Sequence, residues 1–129
     1  MTDTPTVRVI LDTSAIIAFC RESIDVGEVI AEVADEPGCV FALHVLCMVE
    51  ASRAVADRDR LDLLCAHPAA HLISPDPGEW RALAAAHDTV GRLDAASAVL
   101  AAIDLDCDVL TAQPALYAGL AGGGPIIPI

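Results

Sequence analysis

The chain has 129 residues, 55% of them hydrophobic and only 3% aromatic; its 7 basic residues are all Arg, and 19 acids set the formal charge at −12. That suits one domain with an aliphatic core, and it disfavours non-specific attraction to nucleic-acid phosphates. The complete lack of Lys excludes a Walker-A nucleotidase and argues against receiver or haloacid-dehalogenase-type phosphatase chemistry, which use a lysine beside their acids.

The elements follow in chain order. Val7, Val9 and Leu11 give a buried strand over 7–11, and Asp12-Thr13-Ser14 then opens an apolar helix over 13–21. A second helix spans 25–35 and stops at Pro37-Gly38. A strand over 39–44 leads into a helix over 46–56 that carries Glu50, and a shorter helix over 59–66 ends before His67-Pro68. A strand over 71–74, a helix over 78–87, a break at Gly91 and a helix over 94–104 come next. Strand 108–111, a short helix 114–120, a glycine turn at 122–124 and an edge segment PIIPI complete the chain. Strands alternating with helices indicate one α/β domain, a Rossmann-like three-layer sandwich with a mainly parallel sheet. The Ala-rich helix from 94 is apolar nearly all round, as expected of a helix covered on both sides.

The longest apolar stretch, CVFALHVLCMV at 39–49, is well short of the ~18 residues of a membrane span. MTDTPT has no basic region followed by an apolar one, so no signal peptide is read and a cytoplasmic protein is expected. Five cysteines without a CxxC pair are expected to be reduced. Cys65, His67 and His71 are interrupted by Pro68 and have no fourth partner, which argues against zinc.

Three acids occupy matching topological positions. Asp12 ends the first strand, where open α/β sheets place their ligands. Asp94 starts a helix running back against the sheet, so it begins at the same edge. Glu50 lies about one turn into the helix after the second strand, on a stripe with Leu46, Cys47 and Ala54 that is otherwise apolar. Converging carboxylates repel unless a cation sits among them, and hard oxygen donors suit Mg²⁺ or Mn²⁺. Each acid also has a plainer role: Asp12 and Asp94 as helix caps, with Thr13 and Ser14 adding hydrogen bonds, and Glu50 as a partner of Arg53.

With DTSAIIAF, VEASRAV, LDAASAVLAA and DVLTAQPAL in this order and spacing, nearly the whole chain resembles a PIN domain. In size and order it resembles the VapC-type toxins of bacterial toxin–antitoxin pairs. The resemblance implies a Mg²⁺- or Mn²⁺-dependent endoribonuclease, a homodimer, and inhibition by a cognate antitoxin. It assigns Asp12, Glu50 and Asp94 to the catalytic, metal-holding acids and Thr111 to a supporting threonine near the first acid. Gln113 departs from the pattern, standing where an aspartate usually completes the group, and so offers a weak fourth position. Asp104, Asp106 and Asp108 fall at the far edge of the sheet and do not replace it.

Arg53 and Arg92 are the candidate RNA contacts; Arg58 and Arg60 are offset by Asp57, Asp59 and Asp62. The histidines form no triad, and Trp80 is expected to anchor a core or a dimer. The alternative reading is a degenerate PIN domain that dimerises or binds a protein without cutting. A nuclease acting on DNA flaps would call for a more basic face and a longer chain.

Overall fold

Val9, Ile10 and Leu11 are buried in succession, which marks β1 (Thr6–Leu11) as a strand covered on both faces. In the computed structural model, which describes residues 4–129, β1 is the middle of a five-stranded, all-parallel sheet. The start of MTDTPT, residues 1–3, lies outside the described residues. β2 (Cys39–His44) and β3 (Ala70–Ile73) extend the sheet on one side of β1. β4 (Asp108–Thr111) and β5 (Ile126–Pro128) extend it on the other, giving the order β3-β2-β1-β4-β5. Leu11 pairs in register with both Leu43 and Leu110, so β1, β2 and β4 finish along one edge.

Six α-helices among the described residues flank the sheet in a Rossmann-like three-layer arrangement: α1 (Thr13–Cys20), α2 (Ile24–Asp35), α3 (Val45–Ala54), α4 (Arg58–Cys65), α5 (Trp80–Val90) and α6 (Leu93–Leu105). Their starts are set by local chemistry. Asp12, Ser23, His44 and Asp57 each cap the following helix with a side-chain acceptor. At His44 that acceptor is Nδ1, which takes the Leu46 N–H at 3.1 Å. One cluster built on Val9–Leu11, Phe41–Leu43, Val109 and Leu110 joins the sheet to Ile16, Val26, Leu64, Ala95, Ala96, Ala98, Val99 and Tyr117.

Several sequence expectations are revised. The helix read at 78–87 is a 3-10 turn, Pro77–Glu79, followed by α5, which continues to Val90 and stops at Gly91 with φ +86°. The helix read at 114–120 is only a 3-10 turn, Pro114–Tyr117, because too few residues separate Pro114 from Gly119 to build a full α-helix. Trp80 is no core anchor: it is 60% exposed, and the Arg81 guanidinium lies 4.6 Å from its ring centre. α6 is covered from Asp94 to Val99, but Leu93 at its start and Ile103 and Leu105 near its end are exposed. All five cysteines are free thiols, and His67 spends Nδ1 on the Ala69 N–H while its ring meets Phe41 edge-on. No helix among the described residues is long and apolar enough to cross a membrane.

Candidate functional site

The chain leaves β1 toward β2 on one side and returns through β4 on the other. This makes the β1/β4 crevice the switch point of the sheet. Asp12 stands directly at it. Its backbone N–H donates to the Leu110 carbonyl at 3.2 Å, tying the end of β1 to β4. Its side chain, 2% exposed, accepts from the Ala15 N–H at 3.0 Å and from Ser14 Oγ at 2.6 Å through Oδ1. Tyr117 Oη donates to Oδ2 at 2.7 Å. Three donors and the start of α1 thus hold a buried carboxylate that forms no ion pair among the described residues.

Asp94 lies in the first turn of α6 and is 5% exposed. Thr13 Oγ1 donates to its Oδ2 at 2.5 Å, so the residue beside Asp12 in the chain is bonded to Asp94 in space. Arg92 grips the same carboxylate with both arms, Nε to Oδ1 at 3.1 Å and Nη2 to Oδ2 at 3.0 Å. Burial alone pushes the Asp94 carboxyl upward, but the Thr13, Arg92 and Ala95 donors outweigh it and hold it below the usual carboxylate range. Cys47, beneath, donates Sγ–H to the Asp94 backbone carbonyl at 3.4 Å. Burial pushes that thiol up to about 12, which makes it a packing group and not a nucleophile.

Glu50 is less buried than the apolar stripe predicts. Its side chain is 38% exposed, and Arg53 Nη1 donates to Oε1 at 3.3 Å, the i,i+3 pairing weighed from sequence. Thr111 ends β4 and supports the first acid indirectly: its hydroxyl lies 3.2 Å from Ser14 Oγ and accepts the Gln113 N–H at 2.9 Å. Ser14 Oγ also accepts the Ala112 N–H at 2.8 Å. Gln113 itself is exposed. An open cavity of about 330 Å³ brings Asp12, Thr13, Ser14, Glu50, Arg53, Arg92, Asp94 and Gln113 to one place. Of the two candidate RNA contacts, Arg53 is exposed and leans on Glu50, while Arg92 is committed to Asp94. Arg60 pairs with Glu22, away from the cavity.

Carboxylate, amide and hydroxyl oxygens around an open cavity match in type the donors that Mg²⁺ and Mn²⁺ take. Mg²⁺ is commonly held by one or two carboxylates together with waters and substrate phosphates. Among the described residues, no three acidic, imidazole or thiol groups close on one point as a dedicated cation cage does. Asp12 and Asp94, with Glu50 nearer the rim, are the residues of this cavity that could hold such an ion.

Two participants were not legible as such from sequence. Tyr117 is fully buried against Asp12, and its one available signal is that the only tyrosine of the chain follows Thr111 by six residues. The second is the two-armed grip of Arg92, a candidate RNA contact, on Asp94. No protein-family model matches this chain, and no curated protein matches it.

Proposed function

We propose that this chain is a PIN-like endoribonuclease dependent on Mg²⁺ or Mn²⁺, the toxin half of a toxin–antitoxin pair. The observation that carries the reading is the meeting of Asp12, Glu50 and Asp94 in one cavity at the sheet's switch point, the first and last nearly fully buried. Acids that outnumber the cations beside them in a concave site, here three against Arg53 and Arg92, are a signature of function. The ordered motifs DTSAIIAF, VEASRAV, LDAASAVLAA and DVLTAQPAL support the same reading.

A bound divalent cation supplies a polarised phosphoryl oxygen and a hydroxide at neutral pH. The protein's part is to hold its ligands still. Ser14, Ala15 and Tyr117 fix Asp12, and Thr13 fixes Asp94 relative to it. Glu50, at the open side of the cavity, is suited to orient a water. Arg53, 74% exposed beside it, is suited to meet an incoming phosphate. A homodimer would gather arginines from two copies and offset the acidic surface; the cognate antitoxin is the expected protein partner and the cytoplasm the expected compartment.

The test is Mn²⁺ titration by calorimetry with wild type and Asp94→Asn, followed by cleavage assays on RNA with Asp12→Asn. Saturable binding lost in Asp94→Asn, and cleavage abolished in a folded Asp12→Asn, are the expected results. Unchanged cleavage in Asp12→Asn would sink the assignment. One observation favours a second reading, a binding module that no longer cuts: Gln113 replaces a carboxylate while Arg92 neutralises another. A folded chain that captures a protein partner but binds no Mn²⁺ would favour that module.

A further inference from the structure

Arg92 is the residue in the cavity whose position the proposed chemistry least requires. It is the residue just before α6, in extended backbone with φ −136° and ψ 133°, after the left-handed Gly91. From there its guanidinium reaches forward onto Asp94, two residues on, in a two-armed grip. Asp94 is buried at 5% exposure while the Arg92 side chain is 44% exposed, so the acid is enclosed and the arginine faces open space. Arg92 is the ion-pair partner of Asp94, and the other two acids, Asp12 and Glu50, line the same cavity.

There is also room for it to leave. A second cavity of about 290 Å³, lined by Leu46, Val49, His87 and Leu93, shares Glu50, Arg92 and Asp94 with the first. Arg92 stands in the wall between the two.

Resting on the metal-site reading above, we infer that Arg92 occupies the cation position on Asp94 and so sets the affinity of the site for a divalent ion. A divalent ion then binds only by displacing the guanidinium toward the neighbouring cavity. Both cations compete for the same two oxygens, since Asp94 offers Oδ1 and Oδ2 and Arg92 covers both. Three acids and two arginines line the cavity, so an added divalent ion meets one net negative charge. The intrinsic affinity for the metal is therefore lowered by the chain's own arginine. A phosphate that draws Arg92 away would restore it.

The experiment is calorimetric titration of the chelator-stripped, full-length chain with MnCl₂, comparing wild type, Arg92→Gln, Arg92→Lys and Asp94→Asn. Arg92→Gln is expected to bind Mn²⁺ more tightly than wild type by on the order of tenfold, the lower end of what partners of metal ligands are worth. Arg92→Lys is expected to fall between them, since lysine keeps the charge and loses the planar fork. Asp94→Asn is expected to bind most weakly. Binding by Arg92→Gln with none by wild type also supports the inference. Equal or weaker binding by Arg92→Gln, beside measurable wild-type binding, overturns the role of Arg92 and leaves the metal site standing. No binding by any of the four overturns the metal reading and this inference with it. Should Arg92→Gln fail to fold by circular dichroism, Arg92→Lys decides: tighter binding than wild type supports the competition, and equal or weaker binding overturns it.

Discussion

Tyr117 and Asp12, 105 positions apart in the chain, share a hydrogen bond of 2.7 Å in which the phenol donates to a carboxylate with 2% exposure. The phenol is itself fully buried, and burial followed by the Asp12 charge drives its pKa far above the ordinary tyrosine value. Tyr117 is thus the neutral donor that makes a deeply placed acid tolerable. It also joins the 3-10 turn after β4 to the end of β1, so one bond serves both the sheet edge and the site.

Removing only that hydroxyl tests its contribution. Tyr117→Phe keeps the ring volume and leaves Asp12 Oδ2 short of its donor. A hydrogen bond to a charged group contributes about 1.5–3 kcal/mol. Urea unfolding is expected to show a lower midpoint with an unchanged slope, since the surface exposed on unfolding stays the same. A midpoint equal to wild type would mean that water replaces the phenol, and Asp12 would then be open to solvent.

The order of elements was legible because it rests on local patterns, and the shared edge of Asp12 and Asp94 followed from the parallel sheet that this order implies. Apolar runs, Pro and Gly stops and helix starts are all encoded within a few residues. The pairing of Glu50 with Arg53, one turn apart, was legible for the same reason. Tyr117 on Asp12 and Thr13 on Asp94 were not, because contacts across 105 and 81 positions depend on which strands become neighbours. The two-armed grip of Arg92 on Asp94 was not legible either, because neighbouring positions in the chain do not give the direction of a side chain. Of the two anchoring roles expected of Trp80, in a core or in a dimer, its exposure beside Arg81 on α5 removes the first.

Gln113 lines the cavity without contributing charge. Gln113→Asp would add a fourth carboxylate there, and unit charges ~4 Å apart interact by roughly 4 kcal/mol at an effective dielectric near 20, before desolvation. After that offset, Mn²⁺ affinity is expected to rise on the order of tenfold, with apo stability slightly reduced by repulsion from the other acids. Calorimetry and thermal unfolding on the same preparations check both. An unchanged affinity would show that the fourth position does not reach the ion.

Gly91 joins α5 to α6 at φ +86°, and a Cβ there would meet nothing within 4 Å. Gly91→Ala therefore costs only backbone strain, about 1–2 kcal/mol for a left-handed non-glycine residue. Gly91→Asn should cost less, because Asn tolerates that conformation at a helix end. Chemical denaturation of the pair ranks them. If Ala and Asn are equally mild, the turn between the helices adjusts in place of holding its geometry.

His44 offers a pH test away from the acids of the cavity. It is 2% exposed, and burial lowers its pKa from the ordinary value. Pro75, Glu79, Leu83, Ser97 and Leu100 line the small space beside it. Its Nδ1 must be unprotonated to accept the Leu46 N–H that starts α3. The unfolded chain takes up a proton near 6.5 while the native ring resists it, so this contribution is complete above that pH. It is lost as pH falls toward the lowered native value, with a slope of up to about 1.4 kcal/mol per pH unit for one proton. His44→Asn retains a side-chain cap acceptor and does not titrate. Between pH 7 and 5 the wild type is expected to lose stability faster than this variant in urea melts. Parallel curves over that range would mean that His44 protonates as readily in the native state as in the unfolded one.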